Sequence, residues 1–388
     1  MNRRLFLGRS AALATAAGLS APALAQGLAG SLDYAAPERL VRPEVTTEEG
    51  GLWGLMDREE KNLRRSPLLL RDPELKRYVQ ELACRLAGEH CPDLRIFLLR
   101  TPLFNASMAP NGMMQVWSGL LLRVENEAQL AAVLGHEIGH YLQRHSLERM
   151  RDVKAKSAFG QFVGLFGAVG ALGQLAVLAS AFAYGRDHER EADRIGAVLM
   201  HRAGFDVGEA AVVWRNLQSE QAGAPGAGKP NPLFATHPPS PEREENLRSY
   251  ASTLPGGDKG EAPYLLRLRP HLDMLLQDEI HRGQFGETLA LFARLRQREE
   301  FSALIDFYRG ELYRQRGQDG DQELALADYR RATQAPSPPA AAFRGIGLIA
   351  RQRGRNDEAR AAFSRYLELA PEAPDAAFIR NYLTELPS

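Results

Sequence analysis

The chain has 388 residues, 44% of them hydrophobic and 25% charged, the composition of a globular protein long enough for two domains. Lys plus Arg and Asp plus Glu balance at 48 each. The formal net charge of zero therefore leaves no electrostatic footprint for nucleic acid or for a strongly acidic partner.

Residues 1–25 read as an export signal and not as fold. Arg3 and Arg4 precede Leu5-Phe6-Leu7, an apolar stretch runs from Ala11 to Ala21, and Ala23-Leu24-Ala25 supplies an Ala-x-Ala site with cleavage near Ala25. The arginine pair matches a twin-arginine signal, with an ordinary Sec signal as the alternative. No Cys follows the cleavage site, which argues against a lipid anchor. In an oxidising compartment the two cysteines, Cys84 and Cys91, can pair. Continuous helix would hold their Cα atoms roughly 10 Å apart, too far to bridge. A disulfide thus needs Gly88 to end the helix and fold the chain back, and two free buried thiols are the other reading.

Residues 38–90 read as helical, with Asp72-Pro73-Glu74 as a start signal and Leu75, Tyr78, Val79, Leu82 and Leu86 at helical spacing. Leu94 to Leu99 reads as a strand, Pro110-Asn111-Gly112 as a turn, and Met113 to Trp117 as a second strand. Asn126 is placed to cap a helix, with Gln129 as its capping-box partner, and Leu130, Val133, Leu134, Ile138, Tyr141 and Leu142 carry that helix forward.

Ser157 to Tyr184 holds no Asp, Glu, Lys or Arg and is long enough to cross a bilayer. Gln161, Gln174 and five glycines interrupt it, so a helical hairpin against the core, or a peripheral membrane contact through 157–184, is expected in place of a span. Another helix runs from about Arg186 to near Gly204, and the Gly/Pro-rich residues 219–241 form a loop. From about 265 the chain is helical and repetitive. Gly310-Glu311-Leu312-Tyr313 with Arg316-Gly317 is echoed by Gly347-Leu348-Ile349-Ala350 with Arg353-Gly354, each continuing to a proline, Pro336 and Pro371. The period is close to that of tetratricopeptide helix pairs, with a plain helical bundle as the alternative. The expected organisation is 1–25 signal, 26–255 a first domain that holds the motif described next, and 256–388 tetratricopeptide-like helical domain, in a mainly α (α+β) fold with one small β-sheet.

His136-Glu137-Ile138-Gly139-His140 fits H-E-x-x-H on a helix. Positions four apart lie 40° apart around the axis and one turn along, so both imidazoles can chelate one ion. Glu137 lies beside that face, in reach of a metal-held water. The apolar stripe of this helix lies mostly away from the pair, and Gly135 and Gly139 permit a close backbone approach. His145 falls about 180° from His136 on an unbroken helix, which makes it a core or supporting histidine. A catalytic zinc needs a third protein ligand. In Glu189-Arg190-Glu191-Ala192-Asp193, Glu189 and Asp193 share a face, Asp193 being suited to hold a ligand imidazole. From spacing alone Glu191 and His188 remain rivals.

Three segments carry a resemblance: Asn105-Ala106, Glu127 to His140 with Arg144-His145, and Glu189 to Asp193. Across roughly residues 45–250 the chain resembles the HtpX/BepA-like zinc metallopeptidases, gluzincins that also include the CAAX prenyl proteases. The resemblance implies Glu189 as the third ligand of one Zn2+ per chain. It also implies that the Thr236-His237-Pro238-Pro239 segment, followed by Glu242-Arg243, brings His237 to the metal, either as a fourth ligand closing the site or as an oxyanion donor. Simple packing of His237 is the alternative to both. Asn105 and Ala106 are expected on an edge strand to which an extended substrate can add. The tail matches the periplasmic branch of the family. What the resemblance implies is an exported endopeptidase of unfolded or misassembled envelope proteins, with outer-membrane assembly machinery as a partner of the repeats. The rival reading is a chaperone or scaffold with a latent zinc site.

Overall fold

The computed structural model describes residues 32, 34–154, 185–222, 237 and 241–387. The expected export signal and the apolar segment 157–184 lie outside the described residues, as do all but a few positions of the 219–241 loop. Among the described residues no helix is long and apolar enough to cross a membrane.

Helices α1 (Glu48–Arg65) and α2 (Pro73–Ala87) replace the helical stretch expected over 38–90. Pro73 disfavours helical backbone at the residue before it. Asp72 instead stays extended and caps α2, its carboxylate accepting the Leu75 N–H at 2.8 Å. The residues between α1 and α2 are drawn to the sheet, where the Leu70 N–H donates to the Leu98 carbonyl at 2.9 Å. Gly88 (φ 56°) ends α2 and a 3-10 turn over Gly88–Asp93 reverses the chain. This reversal brings the Cα atoms of Cys84 and Cys91 to 4.6 Å, and the two form a disulfide.

Strands β1 (Arg95–Leu99), β2 (Ala106–Met108) and β3 (Met113–Trp117) form one sheet in the order β1-β3-β2, with β1 parallel and β2 antiparallel to β3. Ser107 lies opposite Gln115, and β2 is an edge strand. After β3 come α3 (Ser118–Arg123), α4 (Glu127–Leu142), α5 (His145–Lys154), α6 (Arg186–Arg202), α7 (Gly208–Ala222) and α8 (Pro241–Thr253). Asn126 caps α4 by accepting the Gln129 N–H at 2.8 Å. The Gln129 side chain accepts the Glu125 N–H at 2.8 Å, one residue earlier than a capping box requires.

Every residue of α4 except Ala132 is buried, because α4 lies at the centre of the N-terminal half. Its contact with α6 is made by residues that lack bulk. A Cβ on Gly139 would lie 3.0 Å from the Ala192 carbonyl oxygen, and one on Gly196 would lie 3.0 Å from the His136 backbone nitrogen. Both obstacles are backbone and cannot swing aside. Gly196→Ala is therefore expected to force the two helices apart and to cost about 1–3 kcal/mol of stability. Urea unfolding of the metal-free chain checks this without reference to activity.

The tail comprises α9 (Glu261–Leu268), α10 (Leu272–His281), α11 (Phe285–Leu295), α12 (Ser302–Arg316), α13 (Asp321–Ala332), α14 (Ala340–Gln352), α15 (Asn356–Leu369) and α16 (Ala376–Glu385). The echoed glycines have two structural uses: Gly317 and Gly354 take positive φ at helix ends, and Gly310 and Gly347 make room for aromatic rings. Gly310 and Gly345 let the Tyr329 ring lie against backbone, and Gly347 does the same for Phe363. One apolar core runs from Leu32 through α9–α11 to Ala362, so packing continues across residue 255. Arg123 of α3 reaches Glu220 of α7 and Glu279 of α10, each at 2.8 Å, with all three buried. Arg294 of α11 pairs with both Glu220 and Glu125.

Candidate active site

The approach of α6 to α4 puts Glu189 against the His136–His140 face, and His237 enters from the segment before α8. One ligand atom from each of these four buried residues falls within 4.8 Å of the others. His136 Nε2 lies 3.1 Å from His140 Nε2 and 3.1 Å from His237 Nδ1. Glu189 Oε1 lies 2.8 Å from His237 Nδ1 and 3.3 Å from His140 Nε2. Tetrahedral ligands at zinc-nitrogen distance stand roughly 3.3 Å apart, close to this spacing.

The surroundings fix which atoms converge. His136 Nδ1 lies 2.9 Å from Asp193 Oδ1, which places the imidazole proton there and leaves a lone pair on Nε2. Imidazole lone pairs and a carboxylate oxygen aimed at one point repel each other unless a cation lies between them. The donor set, three nitrogens and one oxygen, fits zinc. Burial alone would raise the Glu189 carboxyl, but His237, Arg243 and His136 beside it hold it well below the usual range. Burial pushes the His140 imidazole well down, so it presents a neutral ring.

Glu137 is buried at the same place, and burial pushes its carboxyl up. Its Oε1 lies 3.4 Å from His237 Nε2, and it takes a hydrogen bond from the Met108 backbone. Trp117 N–H donates to Asn105 O and Ala109 N–H to Met113 O, so the antiparallel pattern turns the backbone groups of Ala106 and Met108 to the free edge of β2. Buried Ala106 opens the edge strand β2, whereas half-buried Asn105, expected on the same strand, lies just before it. An apolar pocket walled by Phe104, Val133, Met200, Val213 and Trp214 adjoins His136 and Glu137.

Sequence spacing left three candidates for the third ligand position, and the structure separates them. Glu189 joins the cluster. Glu191 turns away to His145 Nε2 at 3.3 Å, and His188 turns to Glu148 at 2.9 Å. Burial, together with His188 beside it, pushes His145 down to about 4. His145 is also nearer the site than an unbroken helix allows. The helix ends at Leu142, Arg144 takes φ 58°, and His145 Nδ1 comes to 2.9 Å from His140 Nδ1.

Arg243 is the site residue that sequence reasoning noted and gave no role. It donates twice to Asp193 at 2.8 Å, pairs with Glu189 Oε2 at 2.7 Å, and lies over the Trp214 ring at 4.0 Å. Its only sequence signal was its place six residues after His237. The adjacent Glu242 pairs with Arg190 at the surface, and nothing local separates the buried residue from the exposed one.

Residues 69–251 match the model of Peptidase family M48, a stretch that contains every residue of the cluster. Among curated proteins, the beta-barrel assembly-enhancing protease of Yersinia pestis is 28% identical over 306 residues, 70% of this chain and 60% of its own. The protein of that name from Escherichia coli is 29% identical over 211 residues, 50% of this chain and 42% of its own. The mitochondrial metalloendopeptidase OMA1 of Schizosaccharomyces pombe is 32% identical over 183 residues, 45% of this chain and 52% of its own. The chain spans about half the length of the curated relatives it matches.

Proposed function

Because this chain carries a domain of peptidase family M48, we propose that it is a zinc-dependent endopeptidase of unfolded or misassembled envelope proteins, held closed at rest by His237. One observation carries the reading: His136, His140, Glu189 and His237 direct their ligand atoms at a single buried point beside the carboxyl of Glu137. When bound, zinc lowers the pKa of a water toward neutrality and polarises a carbonyl.

The chain's own residues do the rest. His136, His140 and Glu189 hold the metal, and Asp193 keeps the His136 proton on Nδ1. Arg243 holds Asp193 and Glu189 in place and offsets part of their charge. Glu137 takes the proton of the attacking water and passes it to the leaving amine. An extended chain adds to the free edge of β2 through Ala106, with Asn105 at its border, a mode that selects unfolded segments.

The Cys84–Cys91 disulfide supports an exported, oxidising location such as the periplasm, in keeping with the signal read in residues 1–25. The names of the bacterial relatives support envelope proteins as the substrate class. The α12/α13 and α14/α15 helical hairpins are the surface offered to assembly partners.

The test is metal content with cleavage of unfolded casein. One zinc per chain, with cleavage lost to a chelator and restored by zinc, supports the peptidase. A chain without zinc that cleaves nothing leaves the scaffold reading in its place. His237→Ala tests the latch. If the open state is about a tenth populated, this variant gains roughly tenfold in casein cleavage. A loss of similar size assigns His237 to the oxyanion instead.

A further inference from the structure

Two histidines of the cluster are supported from behind in different ways. Behind His136 stands a carboxylate, Asp193. Behind His140 stands a second imidazole: His140 Nδ1 lies 2.9 Å from His145 Nδ1. We infer that His145 is a positioning residue that accepts the His140 proton, and that Glu191 completes a Glu191–His145–His140 hydrogen-bond chain into the metal site. The inference rests on the zinc reading above.

Proton counting sets the direction of the chain. His140 Nε2 faces His136 Nε2 at 3.1 Å and Glu189 Oε1 at 3.3 Å, so it is the ligand atom and carries a lone pair. The proton of the neutral ring is then on Nδ1. Two imidazole nitrogens at 2.9 Å share one proton, so His145 Nδ1 accepts. The proton of His145 is thereby placed on Nε2, which lies 3.3 Å from Glu191 Oε2. Each step follows from the one before, and the last residue reached is an acceptor.

The backbone is shaped for this contact. Arg144 is the only non-glycine residue with positive φ among the described residues, at 58°. That turn breaks the helix between His140 and His145 and folds the second ring back onto the first. The His145 ring is buried and stacks on His188, with centroids 4.2 Å apart and planes 18° apart. His188 is in turn held by Glu148 at 2.9 Å. The arrangement also suits the local charge. Glu137, Glu189 and Asp193 already place three buried carboxyl groups at the cluster, and a neutral imidazole orients His140 without burying a fourth. The charge of Glu191 lies one ring further out, where its side chain is 40% exposed.

The test uses the full chain and reads zinc affinity by competition with a chromophoric chelator, together with the visible spectrum of the Co2+-substituted protein. His145→Leu and His145→Ala remove the acceptor. His145→Asn keeps an oxygen where Nδ1 stood. The acceptor-free variants are expected to bind zinc about 10–100-fold more weakly with an altered cobalt spectrum, while Asn stays within about threefold of wild type. Glu191→Gln, which still accepts, is expected to lose less than Leu. If Asn and Leu bind alike, whether both resemble wild type or both are weakened, His145 is packing and the inference is overturned. A wild-type chain that binds no zinc overturns the zinc reading and this inference together. A wild-type chain with one zinc and indistinguishable variants overturns only the inference.

Discussion

Glu137→Gln is expected to lower casein cleavage about 10³-fold while zinc content stays at one per chain. The substitution keeps shape and volume in a buried position, so the packing of α4 is preserved. The amide oxygen can still accept from the Met108 backbone. What is lost is the capacity to take a proton from the attacking water. Metal binding should not follow the loss, because Glu137 is outside the converging group of His136, His140, Glu189 and His237. Cleavage that survives in Glu137→Gln would remove the general-base role. Zinc lost along with cleavage would show that Glu137 supports the site and not the chemistry.

Arg123→Met is expected to destabilise the chain by about 3–5 kcal/mol, read from urea unfolding at neutral pH. Arg123 is 4% exposed and bridges Glu220 and Glu279, the latter 0% exposed. Removing the guanidinium leaves buried carboxylates from α7 and α10 with less positive charge beside them, and that desolvation is the main cost. Burial by itself would raise the Glu279 carboxyl, but Arg123 and Arg282 hold it below the usual range. A depressed folded pKa contributes stability that is present above the unfolded carboxylate range and is lost as pH falls through the folded value. The wild-type chain should therefore lose this contribution in acid. In Arg123→Met the acid-dependent loss should shrink, because less stabilisation of the Glu279 carboxylate remains to be removed. A change under 1 kcal/mol would show that apolar packing alone holds the tail to the peptidase half.

Part of this protein is legible in its sequence because the relevant physics is local. The i, i+4 spacing puts His136 and His140 on one helix face, and Asp72 and Asn126 announce the helix starts that they cap. The strands around the Pro110-Asn111-Gly112 turn follow from composition, although the pairing of β3 with both β1 and β2 does not. The glycine and aromatic echo of the tail is likewise local, and it packs as Gly310 on Tyr329 and Gly347 on Phe363.

The remainder depends on how elements cross. His188, Glu189 and Glu191 are near neighbours on one helix with similar chemistry, and only the rotation of α6 against α4, set by Gly135, Gly139 and Gly196, selects Glu189. Arg243 looks like any surface arginine until α8 is packed, and then it is buried against Asp193. His145 was placed on the far side of a helix that in fact stops at Leu142, because a single positive φ at Arg144 is not visible as a composition signal. The disulfide required Gly88 to end α2, a turn that permits the contact and does not by itself demand it. The sequence by itself determined the metal-binding helix, since backbone geometry fixes the direction of residues one turn apart. The tertiary structure decided that Glu189 joins the cluster and that Arg243 is buried against Asp193, since both follow from side-chain packing between elements far apart in the chain, and it placed the second imidazole through the break at Arg144.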